Sequence, residues 1–211
     1  MALSYPIEEQ SSWQSLPDLE LYMDQVLTLL ARELESFSAE DDKSLTSNMI
    51  NNYVKDGVLP RPEKKKYNRE HFSRLIMLCQ LKNVLTIPEV DTLLQSLQAD
   101  GSARECFDRF MELRVSAFAS LQEELSLPED ADSHTQMDIA LQLAIKANLY
   151  RWAAANLIAE EAKRQKALQL DAEKQSALEK EQAKLEKKEK KEKEKKGKTS
   201  KKNSSSQGEE E

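Results

Sequence analysis

Between Leu45 and Asn68 the chain reads Leu-Thr-Ser-Asn-Met-Ile-Asn-Asn-Tyr-Val-Lys-Asp-Gly-Val-Leu-Pro-Arg-Pro-Glu-Lys-Lys-Lys-Tyr-Asn, and no other stretch restricts the fold as much. Met49, Ile50, Tyr53 and Val54 recur at i, i+1, i+4 and i+5, the narrow apolar stripe of a short helix over roughly 45–56. Asn48, Asn51, Asn52 and Lys55 fall on its other faces. Gly57 suits the left-handed position just past a helix end. Pro60 and Pro62 rule out a regular central strand. Val58-Leu59 and Lys66-Tyr67 are therefore expected to pair as two very short strands around a stiff basic loop. Asn68 then caps another helix, with Glu70 in its first turn to favour the dipole.

The rest of the pattern is helical. Only four glycines occur in 211 residues, and Leu, Ala, Glu, Lys and Gln dominate, a profile of good helix formers. A first helix opens at Pro17-Asp18, with Leu19, Tyr22, Met23, Val26, Leu27, Leu29, Leu30 and Leu34 at helical spacing. The helix after Asn68 buries Phe72, Leu75, Ile76, Leu78, Cys79 and Leu81. Thr86-Ile-Pro-Glu89 is a capping-box pattern opening a fourth helix. A fifth runs from Ala103 to about Leu125, and a last one starts near Ser133 or Thr135. Over 136–160 that last helix is apolar nearly all round, which predicts burial against the fifth, with a partner as a further covering surface. Residues 197–211 read as a disordered tail.

Charge is unevenly distributed. The formal total is −7, yet residues 1–42 sum to −9 while residues 43–74 sum to +5. The field near a contact surface matters more than the total, so an acidic chain remains open to a polyanionic partner. Cys79 and Cys106 sit at apolar helical positions and read as small core residues in a reducing cytoplasm. No segment approaches the roughly 18 apolar residues of a membrane span, and the first residues lack the basic and apolar regions of a signal peptide.

Residues 50–94 resemble the MerR-type winged helix-turn-helix. The match lies in Ile50-Asn-Asn-Tyr53, Lys55-Asp-Gly57-Val-Leu-Pro60, Lys66-Tyr67-Asn68, the helix over 69–82, and Thr86-Ile-Pro-Glu-Val90. The chain also resembles an uncharacterised Gram-positive bacterial family, a domain of unknown function, with this core and added C-terminal helices. Two departures are visible. Asn51 stands where the MerR pattern has arginine, and the compact first helix of the motif is missing, so the helix over 19–36 must replace it.

The resemblance implies a mostly α fold with a winged helix-turn-helix core, a C-terminal helical module and a charged helical or disordered tail. The expected divisions are an arm at 1–16, the winged domain at 17–98 and a dimerisation or sensing module at 102–160. A Lys/Glu-rich helix at 161–196 and a tail at 197–211 complete them. Thr46, Ser47, Asn48, Asn51, Asn52 and Lys55 are expected to face the major groove, where an asparagine amide matches adenine. Arg61, Lys64, Lys65, Lys66, Tyr67 and Arg69 are expected to hold phosphates from the wing, which fixes register without reading sequence.

The expected partner is double-stranded DNA, bound by a homodimer acting as a cytoplasmic transcriptional regulator; no membrane, metal or cofactor is expected. An adaptor that keeps the scaffold but has lost DNA is the alternative. Enzymatic activity is not expected, because no Gly-rich phosphate loop, nucleophile elbow or metal-ligand pair is present. His71 and His134 lack ligand spacing and read as ordinary helix residues.

Overall fold

The computed structural model describes residues 12–34, 45–99, 101–124 and 132–203. Six helices follow in order: α1 Met23–Leu34, α2 Ser47–Lys55, α3 Arg69–Leu81, α4 Ile87–Ala99, α5 Ala103–Glu124 and α6 Ser133–Asn203. The protein is mostly helical, as its composition implies. It divides into two compact units, Met1–Glu161 and Ala162–Glu211.

The first unit is built around α3. Residues 71–79 of this helix are all buried, and it packs against α1, α4 and α5. Phe72, Leu75 and Leu78 meet Val26 and Leu30 of α1, Ile50 of α2, Val90 and Leu94 of α4 and Phe107 of α5 in one apolar cluster. Phe72 and Phe107 are its largest fully buried side chains. Truncating either to alanine would cost about 3–5 kcal/mol in lost transfer energy and cavity.

Local chemistry sets the helix starts. Thr46 accepts from the Met49 N–H and caps α2. Glu89 Oε2 accepts from the Thr86 N–H at 2.7 Å and the Thr86 hydroxyl at 2.8 Å, so the capping pattern ahead of α4 is formed. Ser102 and Glu105 repeat it ahead of α5, an arrangement the sequence reading passed over.

The first helix departs from expectation. Instead of opening at Pro17-Asp18, α1 begins at Met23, where Gln25 Oε1 reaches back to the Tyr22 N–H at 2.9 Å. Leu19 and Tyr22, assigned to a core stripe, are 61% and 53% exposed. The cause is competition from a tertiary pairing. Leu21 is extended and exchanges both backbone hydrogen bonds with Tyr67 at 2.8 Å. The strip before α1 also supplies Leu16 to the core and lays Trp13 against Phe107 of α5, with ring centroids 6.2 Å apart.

The short strands expected at Val58-Leu59 and Lys66-Tyr67 do not pair. Val58 and Leu59 turn into the core instead. The Val58 carbonyl accepts from Arg74 Nε and the Leu59 N–H donates to the Tyr53 carbonyl. No named strand occurs among the described residues; isolated bridges Leu21–Tyr67 and Glu63–Lys66 close the loop region.

The apolar run of α6 also departs from expectation. Met137, Leu141, Ile145, Leu149, Trp152 and Leu157 are all more than half exposed, while Ile158 is buried. Arg151 Nε donates to the Val84 carbonyl at 2.8 Å and so ties α6 to the α3–α4 connection. In the second unit the helix continues to Asn203, through the start of the expected tail. The outer arm (1–11), the polar connection at 35–44, the loop at 125–131 and the tail at 204–211 lie outside the described residues. Among the described residues no helix is long and apolar enough to cross a membrane.

Candidate nucleic-acid interface

The asparagine-rich helix is positioned from beneath. Ile50 and Tyr53 of α2 are buried, which leaves Asn48, Asn51, Asn52 and Lys55 exposed beside the exposed cap Thr46, with Ser47 half-buried. The helix stops because Gly57 takes a φ of +79°, a conformation that costs a β-carbon-bearing residue about 1–2 kcal/mol. Val58 and Leu59 then anchor the exit of the helix in the core.

Arg74 holds this exit. Its side chain is 11% exposed; one arm reaches Asp91 Oδ1 at 2.9 Å, another reaches Gln98 Oε1 at 3.2 Å, and Nε serves the Val58 carbonyl at 2.5 Å. Arg74 contributed to the basic charge of residues 43–74, yet it acts inside, joining the turn after α2 to α4. The planar fork of an arginine suits this three-way contact; a lysine ammonium could not span it.

The wing candidate is a tight turn. The Lys66 N–H donates to the Glu63 carbonyl at 2.8 Å, and the two residues between, Lys64 and Lys65, have φ of 48° and 64°. Positive φ at both central residues is the sign pattern of a type I′ turn, which favours Asn-Gly. Two lysines occupy it here. Lys64, Lys65 and Arg61 are exposed, and among the described residues none of them lies within ion-pair distance of a carboxylate.

The remaining basic residues are engaged. Lys66 Nζ pairs with Glu20 Oε2 at 2.8 Å and lies 6.0 Å from the Tyr22 ring. This pair lowers the Glu20 pKa and raises that of Lys66. Arg69 reaches Asp18 at 3.2 Å and stacks 5.8 Å from the Trp13 ring centroid. Both carboxylates come from the acidic strip before α1. Opposite net charge in adjoining segments, −9 over residues 1–42 and +5 over residues 43–74, is the sequence signal for this neutralisation.

Tyr67 does not sit on the surface expected of a phosphate contact. It is 3% exposed, its backbone pairs with Leu21, and its ring meets His71 edge-on at 5.5 Å. Burial raises its pKa. Leu21 and Tyr67 stand opposite each other across this bridge and both belong to the core cluster, so the phenol shares the buried side with Leu21.

His71 lies against the backbone of Pro60 and Arg61. Its Nδ1 approaches Asn68 Oδ1 at 2.5 Å and accepts from the Asn68 N–H at 3.3 Å, completing a capping box for α3. Nε2 is buried. Burial lowers the His71 pKa, opposed in part by the backbone of Pro60 and Arg61 and by the Glu70 charge. Cys79 and Cys106 are buried thiols on α3 and α5. Among the described residues no group of three or more His, Cys, Asp or Glu could hold a metal.

No curated protein and no solved structure matches the chain. Residues 11–112, which take in α1 to α4 and the first part of α5, match the family described as "Domain of unknown function (DUF1836)", so a DUF1836 domain is found there.

Proposed function

We propose that residues 17–98 form a MerR-like winged helix-turn-helix and that the protein is a DNA-binding transcriptional regulator of the cytoplasm. In this reading α2 enters the major groove with Asn48, Asn51 and Asn52 toward base edges, and the turn at Glu63–Lys66 meets phosphates. The observation that carries it is the pair Lys64 and Lys65, held at positive φ on an exposed tip with a short asparagine-faced helix just upstream. Left-handed lysines cost folding energy, and such strain gathers at functional positions. The reading assigns binding, with no catalytic step and no metal or cofactor. Its functional unit is a homodimer, because helix-turn-helix proteins usually read paired half-sites about 34–36 Å apart.

A specific observation favours a second reading, an interaction adaptor without DNA. Two of the six wing residues, Lys66 and Arg69, are already paired with Glu20 and Asp18, and Asn51 replaces the arginine of the MerR pattern. A mobility shift with random duplex DNA at low salt separates the two. Retardation at protein concentrations of about 10⁻⁶–10⁻⁴ M supports the regulator, and free duplex well above that range supports the adaptor. Selection from a random-sequence pool then tests sequence preference in the retarded fraction.

A further inference from the structure

The second unit carries a pattern that becomes visible only once its helix is known to continue. Within 184–202 there are eleven lysines against four glutamates, a net +7, and all nineteen residues lie inside α6. At 3.6 residues per turn, positions 184, 187, 188, 191, 195, 198 and 202 fall within a sector of about 100° running for about 27 Å. Each of the seven is lysine. Glu186, Glu189, Glu192 and Glu194 all lie outside this sector.

A helix stabilised by internal ion pairs does not require this arrangement. Each of the four glutamates has a lysine four positions on, at 190, 193, 196 and 198, the favourable order for such pairs. Three of those lysines are off the sector. Within it, like charges recur at i,i+3 and i,i+4 spacing, which disfavours an isolated helix by a few tenths of a kcal/mol per pair. A continuous cationic face is stabilised when an anionic partner of matching length lies along it.

We infer that the lysine sector of Lys184–Lys202 binds the phosphate backbone of double-stranded nucleic acid as an element separate from the winged domain. Duplex DNA presents one phosphate per about 1.7 Å of its axis with both strands counted, so a sector about 27 Å long runs beside about eight base pairs and meets those phosphates of each strand that face it. The contact is with phosphates alone, since lysines on a helix face fix position and carry no base code. A membrane surface fits less well. Helices that lie in the lipid interface need a broad apolar face, and Leu185 is the one large apolar residue between 184 and 202. This inference does not depend on the winged-helix reading.

The test keeps the full chain, its composition and its net charge. In one variant three adjacent pairs are exchanged, K188E with E189K, K191E with E192K, and E194K with K195E, placing three glutamates inside the sector. Binding to a fluorescent random 20-base-pair duplex is followed by anisotropy from 50 to 200 mM salt. The exchanged variant is expected to bind at least tenfold more weakly at 50 mM. Its salt slope is expected to fall by about three, from about 0.9 for each of the three phosphate contacts removed. Equal affinity and slope in the two proteins would overturn the inference, because net charge alone then accounts for binding. So would unchanged DNA binding accompanied by loss of binding to phosphatidylserine vesicles. A parallel R61A/K64A/K65A variant separates the two readings. Loss in the wing variant alone overturns the lysine sector and supports the wing, whereas loss in the exchanged variant alone does the reverse.

Discussion

Lys66 Nζ and Glu20 Oε2 stand 2.8 Å apart, an ion pair that joins the Glu63–Lys66 turn to the strip ahead of α1. Both groups are partly exposed, so the pair adds little to stability; its consequence is electrostatic. A carboxylate beside this turn opposes phosphate approach and occupies the ammonium that would meet it. Replacing Glu20 with Gln therefore strengthens DNA binding and steepens the salt dependence by about one counterion, the value for one added phosphate contact. Anisotropy titrations of the two proteins at several salt concentrations measure this. Identical slopes would mean that Lys66 does not reach DNA.

The turn at Lys64 and Lys65 makes a prediction with opposite signs in two assays. Asn and Gly are the residues a type I′ turn prefers, and left-handed lysines cost about 1–2 kcal/mol each. The double variant K64N/K65G should then unfold at higher urea, by about 1–3 kcal/mol in total. The same change removes two cations and lowers the salt slope of DNA binding by about two. A variant that is more stable and binds as before would show that these lysines hold no phosphate.

Local signals were the legible part of this chain. Asn68 and the Thr86–Glu89 pair announce helix starts through hydrogen bonds made within three residues, and the structure contains both. What the sequence hid depends on long-range partners. Leu21 lies inside the stretch that reads as the first helix, opening at Pro17-Asp18, yet its pairing with Tyr67 holds it extended. Arg74 reads as one more surface cation of a basic island, but its three partners come from the α2 exit and α4. Tyr67 reads as a wing residue, and the same bridge to Leu21 turns it inward. In each case a contact across more than 15 positions overrode a sound local pattern, and neither residue's own neighbourhood carries a mark of it.

His71 gives a stability–pH prediction. Its folded pKa is lowered by burial from the usual value of 6.5, so below about that pH the unfolded chain takes up the proton more readily than the folded one. Stability is therefore complete above the unfolded pKa and falls as pH drops through it, by at most about 1.4 kcal/mol per pH unit for one proton. His71→Gln retains a side chain able to reach the Asn68 N–H in the manner of a capping box, and it does not titrate. Urea melts between pH 7.5 and 5.5 should show the wild type losing stability while the variant stays nearly level. Parallel profiles would assign the slope to other groups.

The exposed apolar positions of α6 test the proposed homodimer. Met137, Leu141, Ile145, Leu149 and Trp152 fall on one side of the helix at three- and four-residue spacing, each more than half exposed. A self-associating face would bury them, and each large side chain contributes about 1.5–3 kcal/mol on full burial. Substituting Leu141, Ile145 and Leu149 with Lys would then raise the dimer dissociation constant by at least three orders of magnitude, since 1.4 kcal/mol is tenfold. The variant should sediment as a monomer at about 20-fold higher concentration than the wild-type midpoint, and at protein concentrations well below that midpoint, where dimerisation adds no stability, the two should unfold at the same urea concentration. These positions lie outside the described core, so a fall in stability under those dilute conditions would instead mean that the three side chains pack against their own chain. A wild type that remains monomeric across that range removes the dimer, and with it the expectation of paired half-sites.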